Sequence, residues 1–169
     1  MIAHRIDLAL AAALVTLAGG CATVKVNMYD ADEIEGIEAW HIDFSSAPGE
    51  YQQAIGTRRG AATTITKKGY PPVDLQLRDD LFFALRDSYA TTLVRNAEDA
   101  EGFIRLLPQH FTSGGYKSLQ LLLTDVDREV LARIRVKNGS TSPIIKDNEK
   151  FAEFCSDALV KVLRNPYMH

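Results

Sequence analysis

The first candidates for chemistry in this sequence are its two cysteines, Cys21 and Cys155. Cys21 ends the stretch LAGGC, where two glycines follow an apolar run. A thiol in that setting can carry a lipid, pair in a disulfide, bind a metal or attack a substrate. Cys155 shares a predicted helical face with Phe151, Leu159 and Val162, so we expect it to be a small buried hydrophobe. Lipid on Cys21 would leave Cys155 without a disulfide partner.

The segment before Cys21 has the pattern of a secretory signal. Residues 8–17 contain one polar residue, Thr16, and small residues follow. A helix that spans a bilayer needs about 20 apolar residues, and this run is about half that long. We therefore expect residues 1–20 to be a signal peptide that is cleaved. Cleavage without lipidation, which would leave Cys21 as a surface thiol, is the alternative.

The same residues resemble the precursors of bacterial lipoproteins, whose signal ends in a lipobox of Leu, small residues and the cysteine that is lipidated. The resemblance implies that Cys21 carries acyl chains such as palmitate and becomes the mature amino terminus. Because Ala22 rather than Asp follows the cysteine, it also implies the outer membrane, with the domain on the periplasmic face. Each buried methylene contributes about 0.8 kcal/mol, so two or more acyl chains give stable anchoring.

The composition of the remainder fits one compact domain. Loss of residues 1–20 removes one arginine and one aspartate, so the net charge stays at -3 and nothing suggests binding to nucleic acid. Residues 21–36 hold an acidic run with little apolar periodicity, which predicts a solvated tether. We expect the domain over residues 37–165 and a short tail over residues 166–169.

Apolar periodicity predicts an α+β fold. Trp40, Ile42 and Phe44 alternate with other residues, as in a half-buried strand. A long amphipathic helix is expected over residues 75–96, with Asp74 as its N-cap. Three strands and a second amphipathic helix follow, beginning at Gly102, Tyr116, Glu129 and Asn148. The order β-α-β-β-β-α predicts a two-layer sandwich, with an antiparallel sheet of about four strands and both helices on one face.

Basic residues mark the candidate binding surface. Residues 45–73 are rich in Gly and Pro and are predicted to be a long loop, within which residues 61–66 could form a short strand. The loop carries four cations, Arg58, Arg59, Lys67 and Lys68. Alternation in the last strand places three more on its outward side, Arg133, Arg135 and Lys137. These residues predict contact with anionic lipid, a polysaccharide or an acidic partner.

The stretches AEDAEGFIRLLPQHF and LQLLLTDVDREVLARIRVKNG, taken with the order of elements, resemble a pattern of small envelope lipoproteins. Such domains are similar to the amino-terminal domain of the Tol-Pal translocation protein, to the curli secretion lipoprotein and to lipoproteins that activate peptidoglycan synthases. The resemblance implies binding and assembly rather than catalysis. It carries no residue roles over to this chain.

The remaining polar residues match no catalytic or metal motif. His41 and His110 lie in separate predicted strands, so no set of zinc ligands is expected. The acidic turn at residues 125–129 lacks the Gly and Glu that a calcium loop needs. Asp79 and Asp80 face different sides of a predicted helix and cannot share a proton. We therefore expect no metal, no cofactor and no catalytic residue.

The sequence thus predicts a non-catalytic, lipid-anchored lipoprotein that binds or scaffolds other components of the cell envelope. Unpaired sheet edges would also allow a homo-oligomer. One alternative is a ring-forming subunit of a secretion or polysaccharide-export apparatus. A second is a hydrolase of envelope polymers, which would need a pair among His41, Asp43, His110 and Cys155 to meet in a cleft. A third is a carrier with an apolar pocket between the two layers.

Overall fold

The computed structural model describes residues 14–15, 22–58, 61–88, 92–112, 114–140 and 142–168. Cys21 and nearly all of the expected signal peptide lie outside the described residues. Within these ranges the chain forms nine strands and three α-helices, in the order β1 Leu14–Val15, β2 Thr23–Met28, α1 Ala31–Gly36, β3 Ala39–Phe44, β4 Gly49–Arg58, β5 Ala61–Gly69, α2 Pro72–Ser88, β6 Thr92–Leu93, β7 Gly102–His110, β8 Tyr116–Asp125, β9 Val130–Lys137 and α3 Asn148–Arg164.

Six strands form the main sheet, in the order β2-β9-β8-β7-β3-β6, and β1 extends it beside β2. Strands β2, β9, β8 and β7 pair antiparallel, whereas β3 is parallel to both β7 and β6. The predicted α+β class is confirmed, but the sheet is mixed and larger than the predicted antiparallel sheet of about four strands. The difference arises because the chain passes through α2 between β3 and β7, and a helical crossover returns the chain in the same direction.

Helices α2 and α3 pack on each other and on one face of the main sheet. The alternation in β3 is confirmed, because Trp40, Ile42 and Phe44 are all buried. Cys155 is fully buried in α3, as expected. The core joins both helices to the middle strands through Leu77, Leu81, Leu85, Ile104, Leu106, Leu119, Leu121, Leu123, Ile134, Phe151 and Leu159.

The segment expected to be an acidic tether is instead folded. β2 pairs in register with β9 along its whole length, starting with Thr23 opposite Lys137. Asp30 caps α1 by accepting a hydrogen bond of 3.0 Å from the backbone amide of Glu33, and Ile34 is buried. Asp32, Glu33 and Glu35 lie on the exposed side of this short helix. With one buried residue, the segment shows no apolar periodicity in its sequence. Residues 22–36 are therefore part of the folded domain rather than a solvated tether.

The residues expected to form a tail also pack on the domain. Pro166–Met168 forms a short 3-10 helix beside α1. The Tyr167 hydroxyl lies 2.7 Å from carboxylate oxygens of both Asp32 and Glu35. None of the helices in the described part of the chain combines the length and hydropathy needed to cross a bilayer.

The predicted loop at residues 45–73 is largely a β-hairpin. β4 and β5 pair antiparallel and form a separate two-stranded sheet, and the predicted strand at residues 61–66 is part of β5. At the base of this hairpin, the Tyr70 ring stacks on Phe44 with centroids 4.0 Å apart, and the Tyr70 hydroxyl donates to the Ser46 carbonyl at 2.6 Å. The two strands pair mainly with each other, so the hairpin needs no apolar face and its sequence shows no clear alternation.

α2 begins earlier and ends earlier than the helix predicted over residues 75–96. Pro72 is its first residue, a favoured position because proline has no amide proton to donate there. The helix ends at Ser88, and β6 follows at Thr92–Leu93. Asp74 is not the N-cap that we expected. It lies within the first turn and is only 6% exposed.

Candidate functional site

The face of the main sheet opposite α2 and α3, here called the open face, carries a row of cations. Strand pairing sets Thr23 opposite Lys137, and Lys137 opposite Ser118. Two residues further along β2, Lys25 lies opposite Arg135. Alternate residues of a strand point to opposite faces, so these cations are exposed while their neighbours in β9 are buried. The fold thereby joins residues from the two ends of the domain into one basic surface.

A cavity of about 590 Å³ opens at the end of this surface where β2 begins. We call it the basic cavity. Its lining includes three exposed cations, Lys117, Arg135 and Lys137, together with Thr23. The other lining residues are neutral, namely Gln109, Ser118, Gly139, Ser140, Ser142 and Ile144. Among the described residues, no carboxylate lines the cavity, so its electrostatic potential favours an anion.

One wall of the basic cavity is the loop that follows β9, and Asn138 holds that loop in place. The Asn138 side-chain amide donates to the carbonyls of Tyr116 at 3.0 Å and Ile145 at 2.8 Å, and its oxygen accepts from the Ile145 amide at 2.7 Å. Gly139 has a φ of +124°, and a Cβ there would collide with the Ser142 carbonyl oxygen. The loop conformation therefore depends on both residues.

The basic cavity lies at the same end of the main sheet as the base of the hairpin. Gln109 is opposite Ser118 at this end, and Ser118 is opposite Lys137. β3 runs parallel to β7 and finishes here at Phe44, from which the chain enters the hairpin. β2 starts here at Thr23. We refer to this as the entry end of the domain.

Two of the cations predicted from the last strand, Arg135 and Lys137, line the basic cavity. Arg133 lies further along the open face, opposite Asn27, and is half-buried with its Nε atom out of contact with solvent. Two cations that the sequence argument missed join the group, Lys25 and Lys117. Lys25 lies in the segment predicted to be a tether. Lys117 falls at a register shift, since Gln109 pairs with Ser118 and His110 with Tyr116, so the alternation of β8 does not predict its exposure.

Two of the predicted loop cations, Lys67 and Lys68, lie in the hairpin and do not line the basic cavity. Lys67 and Lys68 are exposed on β5. Arg58 ends β4, where the backbone alone is described, and Arg59 lies outside the described residues. The joint surface of hairpin and sheet cations stays a prediction.

A second surface combines arginines with aromatic rings at the edge of the sheet near α2. The Arg95 guanidinium lies 4.9 Å from the Phe82 ring centroid, and Arg86 lies 5.0 Å from that of Phe83. The two rings meet edge to face, and Phe83 is 44% exposed. Arg78 completes the group beside a cavity of about 220 Å³, which His41 also lines. We call these five residues, Arg78, Phe82, Phe83, Arg86 and Arg95, the arginine–phenylalanine patch.

A polar cluster that the sequence did not predict fixes the start of α2. Asp74 Oδ1 lies 2.9 Å from His110 Nε2 and 3.4 Å from the Tyr116 hydroxyl. That hydroxyl donates to the Val73 carbonyl at 2.7 Å, and the Tyr116 ring stacks on Phe151. Burial and the nearby Asp74 carboxylate raise the pKa of Tyr116, so its hydroxyl stays protonated. The cluster joins α2 to β7, β8 and α3, which gives it a structural role.

The residues on which a hydrolase would depend have separate surroundings. Cys155 is fully buried, and burial raises the pKa of its thiol far above neutrality. His41 Nδ1 lies 3.0 Å from the Val94 carbonyl, whereas His110 contacts Asp74. Asp43 accepts a hydrogen bond from the amide of the next residue. In the described part of the chain, neither a hydrogen bond nor an ion pair joins any two of these four candidates.

The acidic turn between β8 and β9 is a structural turn. The Asp125 carboxylate accepts a hydrogen bond of 2.7 Å from the Glu129 amide, and Arg128 adopts a φ of 70°. Across the described residues, no group of three or more His, Cys, Asp or Glu side chains could hold a metal ion.

A scan against protein-family models and searches of curated proteins and solved structures found no match to the chain. The function of this chain is therefore inferred from its own residues.

Proposed function

We propose that this chain is a non-catalytic lipoprotein of the bacterial envelope, anchored through acylated Cys21 and positioned on the periplasmic face of the outer membrane. The stretch LAGGC at the end of the apolar run carries the proposal, and the fold adds the geometry of the anchor. The first strand of the main sheet begins only two residues after Cys21, so a lipid on that cysteine would attach to the rigid body of the domain itself. Two residues of extended chain reach at most about 7 Å. The anchor would thus orient the domain as well as retain it.

The arginine–phenylalanine patch is the surface that we propose for an envelope partner. Interfaces between proteins are enriched in arginine and aromatic residues, and the residues that contribute most to binding cluster in well-packed groups. Here Arg86 stacks on the exposed Phe83 ring, and Arg95 stacks on Phe82 behind it. The patch belongs to one edge of the sheet rather than to the entry end, so a membrane at the entry end would leave it accessible.

Photo-crosslinking in intact cells tests this assignment. We would replace Phe83 with a benzophenone amino acid and, as a matched control, replace Val126, which is 58% exposed in the turn between β8 and β9. A discrete crosslinked product at position 83 that is missing at position 126 is expected, and reversal of Arg86 to Glu should reduce its yield. Equal yields at both positions would contradict a partner surface at the patch.

A ring-forming or otherwise oligomeric subunit is the second candidate, favoured by the edges of the main sheet. β6 covers only Ala39 and Trp40 of β3. At the other edge, removal of the signal peptide would take β1 away from β2. Both edge strands extend away from the entry end, which would face the membrane. Copies of the chain anchored side by side could therefore pair through these edges. Native mass spectrometry of the lipidated protein in detergent should then show a closed oligomer, and a monomer at high concentration would exclude this function.

A further inference from the structure

We propose that the basic cavity binds the phosphate-bearing headgroup of an anionic phospholipid in the same leaflet that holds the acyl chains of Cys21. This inference rests on the proposed lipidation and extends it. The lipid anchor would set the height of the domain above the membrane, and the bound headgroup would set its rotation. The occupant is a bilayer lipid rather than a soluble phosphate compound, for reasons of position and charge.

The position of the cavity is the first reason. Thr23 lines it, and Thr23 is two residues from Cys21. Acyl chains on Cys21 lie in the hydrocarbon, and the headgroup region above it is about 5–7 Å thick. Extended chain from Cys21 to Thr23 spans about the same distance. The rim of the cavity would therefore lie at the level of the headgroup phosphates, with Lys137 directly across the strand pair from Thr23.

The charge of the cavity is the second reason. Lys117, Arg135 and Lys137 converge on it, and Lys25 stands beside Arg135 on the neighbouring strand. The chain as a whole carries a net charge of -3, so this concentration of cations is a local feature of the open face. Anionic lipid surfaces attract clustered basic side chains within about a Debye length, which the short distance to the anchor satisfies.

The lining also supplies neutral groups that can donate hydrogen bonds to a phosphate. Ser140 and Ser142 are exposed on the loop that Asn138 holds, and both line the cavity. Hydroxyl donors placed among lysine and arginine side chains form the usual chemistry of phosphate recognition. A volume of about 590 Å³ is ample for one headgroup.

Lysine footprinting of the mature, lipidated protein tests the proposal without any substitution. The protein is reconstituted into vesicles of phosphatidylcholine alone or of phosphatidylcholine with phosphatidylglycerol. It is then acetylated briefly, and the modification of each lysine is measured by mass spectrometry. Lys25, Lys117 and Lys137 should react at least about fivefold more slowly on the anionic vesicles. Lys161, exposed in the last turn of α3 and so remote from the entry end, is the internal control and should not change.

The remaining outcomes separate the proposal from its rivals. Raising NaCl to about 0.5 M should restore the reactivity of the three lysines, because screening weakens the attraction. Unchanged reactivity of Lys25, Lys117 and Lys137, or equal protection of every lysine, would overturn the headgroup site. Protection on neutral vesicles after addition of inorganic phosphate would overturn it in favour of a soluble anion. The acyl mass on the Cys21 peptide is read in the same experiment, so failure of lipidation is recognised separately.

Discussion

Thr23 and Lys137 face each other across β2 and β9, and both line the basic cavity. The pairing places a cation of the last strand beside the first residue of the first main-sheet strand, two residues from Cys21. A flexible tether would have allowed the domain any orientation relative to a membrane. Because β2 begins at Thr23, an acyl group on Cys21 would be held close to the cations of the open face.

The close approach of Gly102 and Trp40 leads to a prediction on stability. A Cβ on Gly102 would lie 2.9 Å from the Trp40 ring and 3.0 Å from Ile37, and Trp40 is 1% exposed. Gly102→Ala should therefore lower the free energy of unfolding by about 1–3 kcal/mol through overpacking. Urea denaturation measures the change. Gly36→Ala, where a Cβ would meet nothing within 4 Å, is the control and should stay within about 0.5 kcal/mol.

Asn138 offers a test of the wall of the basic cavity. Asn138→Ala would remove three hydrogen bonds, one to the buried backbone of Tyr116 and two to the half-buried backbone of Ile145. We expect a loss of about 2–4 kcal/mol in the free energy of unfolding. Ser140→Ala, at an exposed position of the same loop, should have little effect. Equal stability of the two variants would mean that Asn138 does not hold the loop.

Asp80 predicts a dependence of stability on pH. Burial, followed by the charges of Glu149, Asp79 and Asp147, raises the pKa of Asp80 above its ordinary value of 3.8. The Asp80 carboxyl therefore loses its proton at a lower pH in the unfolded chain than in the folded chain. The free energy of unfolding should fall as the pH rises from the ordinary pKa of Asp80 through its raised pKa in the folded chain. Asp80→Asn removes the charge and should stabilise the domain at pH 7.

Asp80→Asn should raise the free energy of unfolding at pH 7, and this gain should shrink towards zero below the ordinary pKa of aspartate. Thermal or urea unfolding across pH 3–8 would show the difference between variant and parent. Asp157→Asn, at an exposed position of α3, serves as the control and should give no comparable gain. A variant that is less stable than its parent at pH 7 but not at pH 3 would contradict the assigned sign.

The parts of the fold that could be predicted are those in which one face is buried. β3, β7, β8, β9 and α3 follow strong apolar periodicity, and their observed bounds differ by at most two residues from the predicted ones. β2 and most of the hairpin escaped prediction because their residues lie at an edge or outside the core, where alternation is weak. The parallel pairing of β3 with β7 depends on a crossover through α2, a long-range relationship that local patterns do not contain.

The candidate site was predictable only in part, and for a similar reason. Alternation in β9 correctly put Arg135 and Lys137 on an exposed face. Lys25 and Lys117 reach the same surface through strand pairing across more than one strand, which the sequence alone did not reveal. The Asp74 carboxylate illustrates the same limit. Its sequence position is typical of a helix cap. In the fold, however, His110 of β7 and Tyr116 of β8 contact the carboxylate, which is buried within the first turn of α2.

Acylation of Cys21 is the central claim, and one measurement tests this modification directly. Cells that express the full precursor, or its Cys21→Ser variant, are labelled with radioactive palmitate and separated into soluble and outer-membrane fractions. We expect the parent chain to carry label and to sediment with the outer membrane, and the variant to be unlabelled and absent from that fraction. An unlabelled parent chain, with the same distribution as the variant, would contradict the account.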